Sequence, residues 1–293
     1  MKRLYTAALA FGIFGSLIYL TLFISLSKRF QHPSFLRVGF SIEPPYSYID
    51  STGIVRGQSP DELRIILRRI GIDSLQWKLM EFGSLLTNLE AGRIDAIATG
   101  MFITPERAKR IAFSSPTLGV PPAFLVKKGN PKSINKYADF RDRSDIVLGV
   151  LNGAIELSNA LALGIPQTRI RTFPDAGAAV DALRHEEVDC FALSSPSIEH
   201  IWSRLKLDSI RNGQGYQLVI LPEDSQLGYT GFGFRKQDSL LVREVNTVVT
   251  SFVGSDEHIE VMRRYGFTKS DLPRLTTVAE VLRNLTRSDL RSQ

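Results

Sequence analysis

The segment that decides how this chain folds is Gly100-Met101-Phe102-Ile103-Thr104-Pro105-Glu106-Arg107. It follows the apolar run 94–99, and together they predict a strand, a turn and the start of a helix. Thr104 is a favourable N-cap, and Pro105 is a favourable first helical residue. A strand end that leads into a helix collects free backbone N–H groups, so this segment predicts an anion-binding turn.

Arg107 stands one turn into the predicted helix, and Phe102 places an aromatic ring beside it. A guanidinium can hold a carboxylate through two parallel hydrogen bonds. The segment therefore suggests a pocket for a small molecule that carries a carboxylate and a group attracted to aromatic faces. Local chemistry leaves a second interpretation open, in which Arg107 is solvated or pairs with Glu106.

Composition restricts the class of protein. The chain has 293 residues, of which 43% are hydrophobic and 23% charged, as expected for a soluble globular protein with room for two domains. Four of the six excess positive charges lie within residues 1–35, so the remainder carries about +2 and does not indicate a nucleic-acid partner. The single cysteine, Cys190, and the four histidines lack the spacing of a metal site, and no cofactor is predicted.

The N-terminus contains an uncharged apolar run, residues 4–26, with a basic pair on each side. The run is long enough to cross a bilayer, and no small-residue cleavage site precedes Lys28. We therefore interpret residues 1–33 as an uncleaved signal anchor, with a cleaved signal peptide as the alternative. Because both flanks are basic, the orientation signal is weak.

Alternating strand and helix patterns after residue 34 predict an α/β fold with mainly parallel sheets. The segment Ser194-Ser195-Pro196 is predicted to end a strand. An extended segment at 121–128 is predicted to leave the first lobe, with a hinge near 125–131, and the strand at 229–235 to return to it. The other predicted strands are 35–40, 75–80, 94–99, 146–151, 169–173, 188–193 and 216–221, and the clearest predicted helices are 60–70, 82–91, 175–183, 240–252 and 255–265.

This order of elements resembles the family-3 solute-binding proteins of ABC importers, which have the type II periplasmic binding fold. The resemblance covers about residues 35–275, and within the family it is strongest with ectoine- and hydroxyectoine-binding proteins. It implies two lobes, with 34–127 and 228–293 (including the C-terminal tail) in lobe 1 and 128–227 in lobe 2. The motifs that carry it are at residues 36–39, 89–95, 100–107, 113–116 and 231–234.

The resemblance also implies a ligand site in the first lobe. In this family the arginine matched by Arg107 clamps the ligand carboxylate, and the backbone at Gly100 and Phe102 adds hydrogen bonds. In the ectoine binders an aromatic cage holds a cyclic amidinium, and an acid balances its charge. A delocalised cation over an aromatic face gains roughly 0.5–2 kcal/mol per contact. The matching cage residues are Tyr46, Phe82 and Phe102, and the matching acid is Glu43.

The second lobe departs from the pattern of amino-acid binders. Its predicted strand-to-helix corner, Asn152-Gly153-Ala154, could present backbone N–H groups to an anion. Amino-acid binders place hydroxyl residues near 154–155, which this chain lacks. They also carry an aspartate where Ser194 stands, which pairs with an α-ammonium group. The serine therefore favours a ligand without a primary amine.

The function implied by the resemblance is non-enzymatic capture of a small zwitterionic carboxylate, either ectoine-like or polar amino-acid-like, by closure of the two lobes. The expected partners are ABC permease subunits, and the protein is expected to be a monomer in the periplasm or at the cell exterior. It would be tethered by the N-terminal helix, or soluble if that helix is cleaved. Two alternatives remain, a membrane-anchored sensor module for a signalling partner and a cyclohexadienyl-dehydratase-like enzyme with Glu43 as its acid.

Overall fold

The computed structural model describes residues 35–212, 215–221 and 227–289. Two five-stranded sheets form two α/β lobes. In chain order the strands are β1 Leu36–Phe40, β2 Tyr48–Ile49, β3 Val55–Arg56, β4 Leu75–Leu79, β5 Ala96–Ile97, β6 Ala112–Phe113, β7 Leu118–Val120, β8 Pro122–Lys127, β9 Leu148–Leu151, β10 Ile170–Phe173, β11 Cys190–Ser194, β12 Tyr216–Ile220, β13 Gly228–Thr230 and β14 Gly233–Phe234. The α-helices are α1 Gln58–Arg69, α2 Leu85–Glu90, α3 Pro105–Arg110, α4 Ala138–Asp142, α5 Ile155–Ala162, α6 Ala176–Arg184, α7 Ser195–Asn212, α8 Ser239–Phe252, α9 Asp256–Arg264 and α10 Val278–Asp289, with short 3₁₀ turns at Phe82–Ser84, Gln167–Arg169 and Lys269–Asp271.

Both sheets mix parallel and antiparallel pairing. The first has the order β4-β1-β5-β14-β6, in which β1 is parallel to both neighbours and β14 is antiparallel to both of its own. The second has the order β10-β9-β11-β8-β12, with β9 parallel and β8 antiparallel to their neighbours. The prediction of mainly parallel sheets is therefore wrong. The antiparallel strand of each sheet is the one that enters from the other lobe, so it runs against the strands of the βαβ units.

The chain crosses between the lobes in a two-stranded ladder, where β7 pairs antiparallel with β13. The next strand, β8, is already a member of the second sheet. The predicted lobe boundary after residue 127 therefore lies too late in the chain, because it follows β8. The predicted hinge at 125–131 stays a prediction. The return crossing near residue 228 agrees with the position of β13.

Apolar faces of the helices cover the sheets as their periodicity predicts. In the first lobe the stripe of α1, Leu63, Ile66 and Leu67, is fully buried against the sheet together with Val249 and Phe252 of α8. Each of these side chains contributes roughly 1.5–3 kcal/mol when removed from water. The packing fixes both helices on the sheet and holds the strand ends in place.

The helix α7 is absent from the sequence-based prediction. Ser194-Ser195-Pro196 was expected to end a strand, and β11 does end there, but a long helix begins at Ser195. Pro196 is its second residue, where the missing N–H costs no helical hydrogen bond. A proline in the first helical turn is thus compatible with both a break and a start.

Within the ranges described above, no helix is long and apolar enough to cross a membrane. The predicted anchor at residues 1–33 lies outside those ranges.

Candidate functional site

A small cavity lies between the two lobes, beyond the carboxyl ends of β1, β5, β9 and β11. Open α/β sheets bind ligands at this end. Its volume is about 10 Å³, space for about one water molecule. The residues around it are Glu43, Phe82, Gly100 and Phe102 from the first lobe and Leu151, Ala154, Ile155, Glu156 and Leu193 from the second.

The segment that carries Arg107 folds as its sequence predicts. The Thr104 hydroxyl accepts a hydrogen bond from the Arg107 N–H at 3.2 Å, and Pro105 is the first residue of α3. Backbone bonds tie this segment to the returning crossing, because Ile103 N–H donates to the Tyr229 carbonyl at 2.8 Å. The site is therefore built on the strand pair that joins the lobes.

The Arg107 side chain is buried and reaches across the cleft. Its Nη1 donates to the Phe102 carbonyl at 2.8 Å, and its Nη2 donates to the Gly153 carbonyl of the second lobe at 2.9 Å. The guanidinium carbon lies 5.4 Å from the centroid of the Phe82 ring. One side chain thus contacts both lobes and an aromatic wall.

Arg107 forms no ion pair with any carboxylate in the described part of the chain. The alternative in which it is solvated or paired with Glu106 is wrong, since only 7% of Arg107 is exposed and Glu106 faces solvent. Burial lowers the pKa of Arg107 from 12.5 to about 10, while the charges of Glu156 and Glu43 act in the opposite direction. A buried cation without an adjacent counter-ion is costly, and a binding site for an anion accounts for that cost.

Two buried carboxylates face the same cavity. Glu43 follows β1, and its Oε1 accepts a hydrogen bond from Ser197 Oγ at 3.2 Å. Burial, reinforced by the charge of Glu156, raises the pKa of Glu43 to about 8, although Ser197 and Arg107 oppose the rise. Glu156 lies in the first turn of α5, and burial raises its pKa to about 7 against the opposing charge of Arg107. The pKa values of both groups are therefore close to physiological pH, so each carboxyl group is only partly ionised there.

A series of hydrogen bonds between hydroxyl groups runs from the first lobe to the second and back to the first. Tyr46 OH donates to Ser194 Oγ at 3.2 Å, and Ser194 Oγ donates to Ser197 Oγ at 3.3 Å. Ser197 then donates back to Glu43 of the first lobe. Ser194 and Ser197, both in the second lobe, therefore link two predicted site residues of the first.

The three rings predicted to form a cage occupy two layers. Phe82 and Phe102 line the cavity. Tyr46 is not among the lining residues; it is fully buried behind Gly100, where a Cβ would lie 3.0 Å from its ring, and it packs on Phe267 with centroids 5.4 Å apart. The structure therefore places two of the three predicted cage rings at the cavity and Tyr46 behind Gly100.

The corner after β9 differs from its prediction. The N–H of Asn152 donates to the Phe173 carbonyl at 2.8 Å, and that of Ala154 donates to the Leu151 carbonyl at 3.2 Å. These two groups are thus occupied by the protein, and the expectation that they meet an anion is wrong. Ala154 lines the cavity, whereas Asn152 is exposed.

Gly153, which lies between Asn152 and Ala154, allows the two lobes to come into close contact. Its φ is +73°, and a Cβ there would lie 2.9 Å from the Gly83 Cα of the first lobe. Its carbonyl is the acceptor for Arg107. A glycine is needed here for both conformation and space.

The sequence analysis did not identify Glu156 or the apolar lining residues Leu151, Ile155 and Leu193, nor Ser197 and Gly228, which contact Glu43 and Phe102. An acid in the first turn of a helix is favoured by the helix dipole in any protein, so Glu156 carried no distinct signal. Ser197 lies in the first turn of α7, and the sequence analysis does not predict that helix. Gly228 admits the Phe102 ring, since a Cβ at 228 would lie 2.4 Å from that ring, and only the folded chain reveals this contact.

Comparison with known proteins shows the family to which the chain belongs. The pattern of the bacterial extracellular solute-binding proteins, family 3, matches residues 36–269. The protein of Sinorhizobium fredii named "Probable amino-acid ABC transporter periplasmic-binding protein y4tE" is 29% identical over 235 residues, which are 80% of this chain and 77% of that protein. The L-arginine-binding protein of Pseudomonas aeruginosa is 26% identical over 239 residues, 78% of this chain and 87% of that one.

Solved structures give the same result. The crystal structure of EhuB in complex with hydroxyectoine has a TM-score of 0.75 and 30% identity, and it covers 85% of this chain and 94% of that one. The resemblance noted from the sequence is confirmed, as is the two-lobed type II periplasmic binding fold. This chain therefore belongs to the bacterial extracellular solute-binding proteins, family 3.

Proposed function

We propose that the two lobes close on a small zwitterion whose carboxylate is held by Arg107. The observation that carries this proposal is a buried guanidinium that contacts both lobes without an ion pair to any described carboxylate. Its fork matches a carboxylate bidentately, and such charge-assisted bonds are about twice as strong as neutral ones. The ligand carboxylate would accept hydrogen bonds from the N–H groups of Arg107 that the Phe102 and Gly153 carbonyls leave free.

The cationic end of the ligand would lie against Phe82 and Phe102, with Glu43 as a counter-charge. Aromatic faces and a desolvated carboxylate together favour a weakly hydrated cation. Ser194, which is engaged by Tyr46, supplies no charge for an α-ammonium group. The ligands named for related proteins, hydroxyectoine, arginine and histidine, are all small carboxylates with a cationic or polar end.

Lobe closure would be a rotation about the β7–β13 ladder, since these short strands are the described connection between the sheets. We place residues 36–120 and 228–289 in lobe 1 and residues 121–221 in lobe 2. The closed form would be presented, as a monomer, to the permease subunits. Closure of this kind moves two rigid bodies and leaves each sheet intact.

The test of this proposal is isothermal titration of the purified protein with ectoine, hydroxyectoine, L-arginine and L-histidine. We expect saturable 1:1 binding of at least one of them, together with a rise in melting temperature in its presence. Silence across the whole panel, with the protein shown to be folded by circular dichroism, would refute the proposed ligand class.

We propose that the protein has no catalytic role. A dehydratase would need a general acid over the substrate and a second group to assist it. Glu43 could be the acid, but its hydrogen-bond partner is a serine, and no histidine or lysine lines the cavity. We expect no turnover when prephenate or arogenate is incubated with the protein and followed by absorbance; measurable turnover would establish an enzyme.

We further propose that residues 1–33 tether the protein to the outer face of the cytoplasmic membrane. The apolar run in the sequence supports this. Fractionation of expressing cells, with the N-terminal sequence of the recovered protein, tests it. Recovery from the membrane fraction with an intact N-terminus is expected, whereas a soluble product that begins near residue 30 would indicate cleavage.

A further inference from the structure

The ionisable groups around the cavity impose a charge requirement on the ligand. The two acids Glu43 and Glu156 line the cavity, and Arg107, which lies beside Phe82, is the cation on which both of them act. The remaining lining residues are apolar or glycine: Phe82, Gly100, Phe102, Leu151, Ala154, Ile155 and Leu193. Once a ligand carboxylate neutralises Arg107, two buried carboxyl groups remain to be balanced.

A ligand with one positive charge balances only one of these carboxylates. The other must then remain ionised without a partner, which is costly in a buried site, or take up a proton. A ligand with two positive charges balances both and requires no proton. The two acids therefore distinguish ligands by net charge.

Resting on the function proposed above, we propose that Glu156 is a second counter-charge for the ligand. The site would then prefer a monocarboxylate with two positive charges, of net charge +1, over a zwitterion of net charge zero. Glu156 is 3% exposed, lines the cavity and forms no ion pair within the described ranges. It belongs to the second lobe and Glu43 to the first, so a cation between them is contacted from both sides only when the lobes meet.

The direction in which burial shifts the pKa values of Glu43 and Glu156 predicts how ligand preference depends on pH. Burial raises the pKa of Glu43 to about 8 and that of Glu156 to about 7. Binding of a zwitterion needs one of them protonated and weakens as pH rises past these values, whereas binding of a ligand of net charge +1 needs both ionised. The preference for the latter should therefore increase from pH 6 to pH 8. The other titratable groups that act on the two acids are Arg107, Tyr46 and the buried Tyr137, with the exposed Glu106 acting through Arg107 and Asp271 through Tyr46.

The experiment compares L-arginine with L-citrulline by isothermal titration. The two have nearly the same shape, but the guanidinium of arginine is charged and the ureido group of citrulline is neutral. At pH 8 we expect arginine to bind roughly 30-fold or more tightly than citrulline, the factor typical for loss of one partner of a buried charge pair. At pH 6 the factor should be smaller. Ectoine, also of net charge zero, should follow the pH dependence of citrulline.

Glu156→Gln is the test variant, and Glu106→Gln is its matched control on the exposed side of Arg107. The inference expects Glu156→Gln to bring arginine and citrulline within about threefold of each other, and Glu106→Gln to leave the wild-type ratio. The melting temperature of ligand-free Glu156→Gln should not fall, because a neutral amide is cheaper to bury than a carboxylate.

Equal binding of arginine and citrulline by the wild-type protein would overturn the inference, and so would tighter binding of ectoine than of arginine at pH 8. Either result leaves the proposed ligand class intact. If arginine, citrulline and ectoine all fail to bind, the proposed function fails as well.

Discussion

Replacement of Arg107 by methionine separates the binding role of this residue from its structural role. Methionine keeps most of the length and all of the apolar contact of the side chain but removes its charge and its donors. Burial lowers the pKa of Arg107 from 12.5 to about 10, which corresponds to roughly 3 kcal/mol against the charged form in the folded protein. Two hydrogen bonds to carbonyl groups oppose that cost, at about 1.5–3 kcal/mol each for a charged donor.

The two hydrogen bonds together contribute about 3–6 kcal/mol against a burial cost of roughly 3 kcal/mol, so Arg107→Met should lower the free energy of unfolding by no more than about 3 kcal/mol. For ligand binding, no opposing free-energy contribution offsets the loss of the guanidinium. Loss of two charge-assisted bonds to a ligand carboxylate should weaken binding at least about 100-fold. The assays are isothermal titration with the wild-type ligand and thermal unfolding followed by circular dichroism.

The matched control is Arg110→Met on the same helix. Arg110 is exposed and pairs with Glu90 at 2.5 Å, an interaction of small energetic weight at a protein surface. This variant should bind and melt as the wild type does. If Arg107→Met retained affinity within tenfold of the wild type, or if both variants lost binding equally, the assignment of Arg107 as the carboxylate clamp would be untenable.

Two further predictions concern the contact between the lobes. Ser197→Ala removes the 3.2 Å hydrogen bond to Glu43. Ligand affinity measured by isothermal titration should therefore fall roughly 3- to 10-fold. An unchanged affinity would show that this hydrogen bond does not contribute to binding. Gly153→Ala places a Cβ 2.9 Å from Gly83 at a φ of +73°, whereas Gly129, at a φ of +80°, has nothing within 4 Å of its Cβ. Both alanine variants should lose about 1 kcal/mol of stability. Only Gly153→Ala should enlarge the radius of gyration of the liganded protein, as measured by small-angle X-ray scattering. Equal radii of gyration for the two liganded variants would contradict this.

The local patterns predicted most of the elements because propensity and packing agree there. Leu63, Ile66 and Leu67 recur at helical spacing and are buried together, and Thr104 caps the helix that carries Arg107. These features depend on neighbours in sequence, so a single chain displays them.

The errors arise where a strand's partner is distant in sequence. Nothing local to residues 122–127 shows that they pair with β11 and β12 of the second sheet. The same holds for the two occupied N–H groups beside Gly153 and for Glu156, whose position opposite Glu43 requires both lobes to be assembled. Of the predicted first-lobe site residues, Glu43, Phe82, Gly100 and Phe102 line the cavity, whereas Arg107 lies beside Phe82 and Tyr46 lies behind Gly100. Their roles in binding stay predictions.

Because Ser197 of the second lobe donates a hydrogen bond to Glu43 of the first, the pKa of Glu43 depends on the distance between the lobes. When the lobes separate, the Glu43 carboxylate exchanges a hydroxyl of the opposite lobe for bulk water, and the burial that raises its pKa is lost. Opening and closing of the hinge is then readable as a change in the protonation of a single acid. An isotope-edited infrared band of that carboxyl group would follow the motion directly, without any label at the hinge.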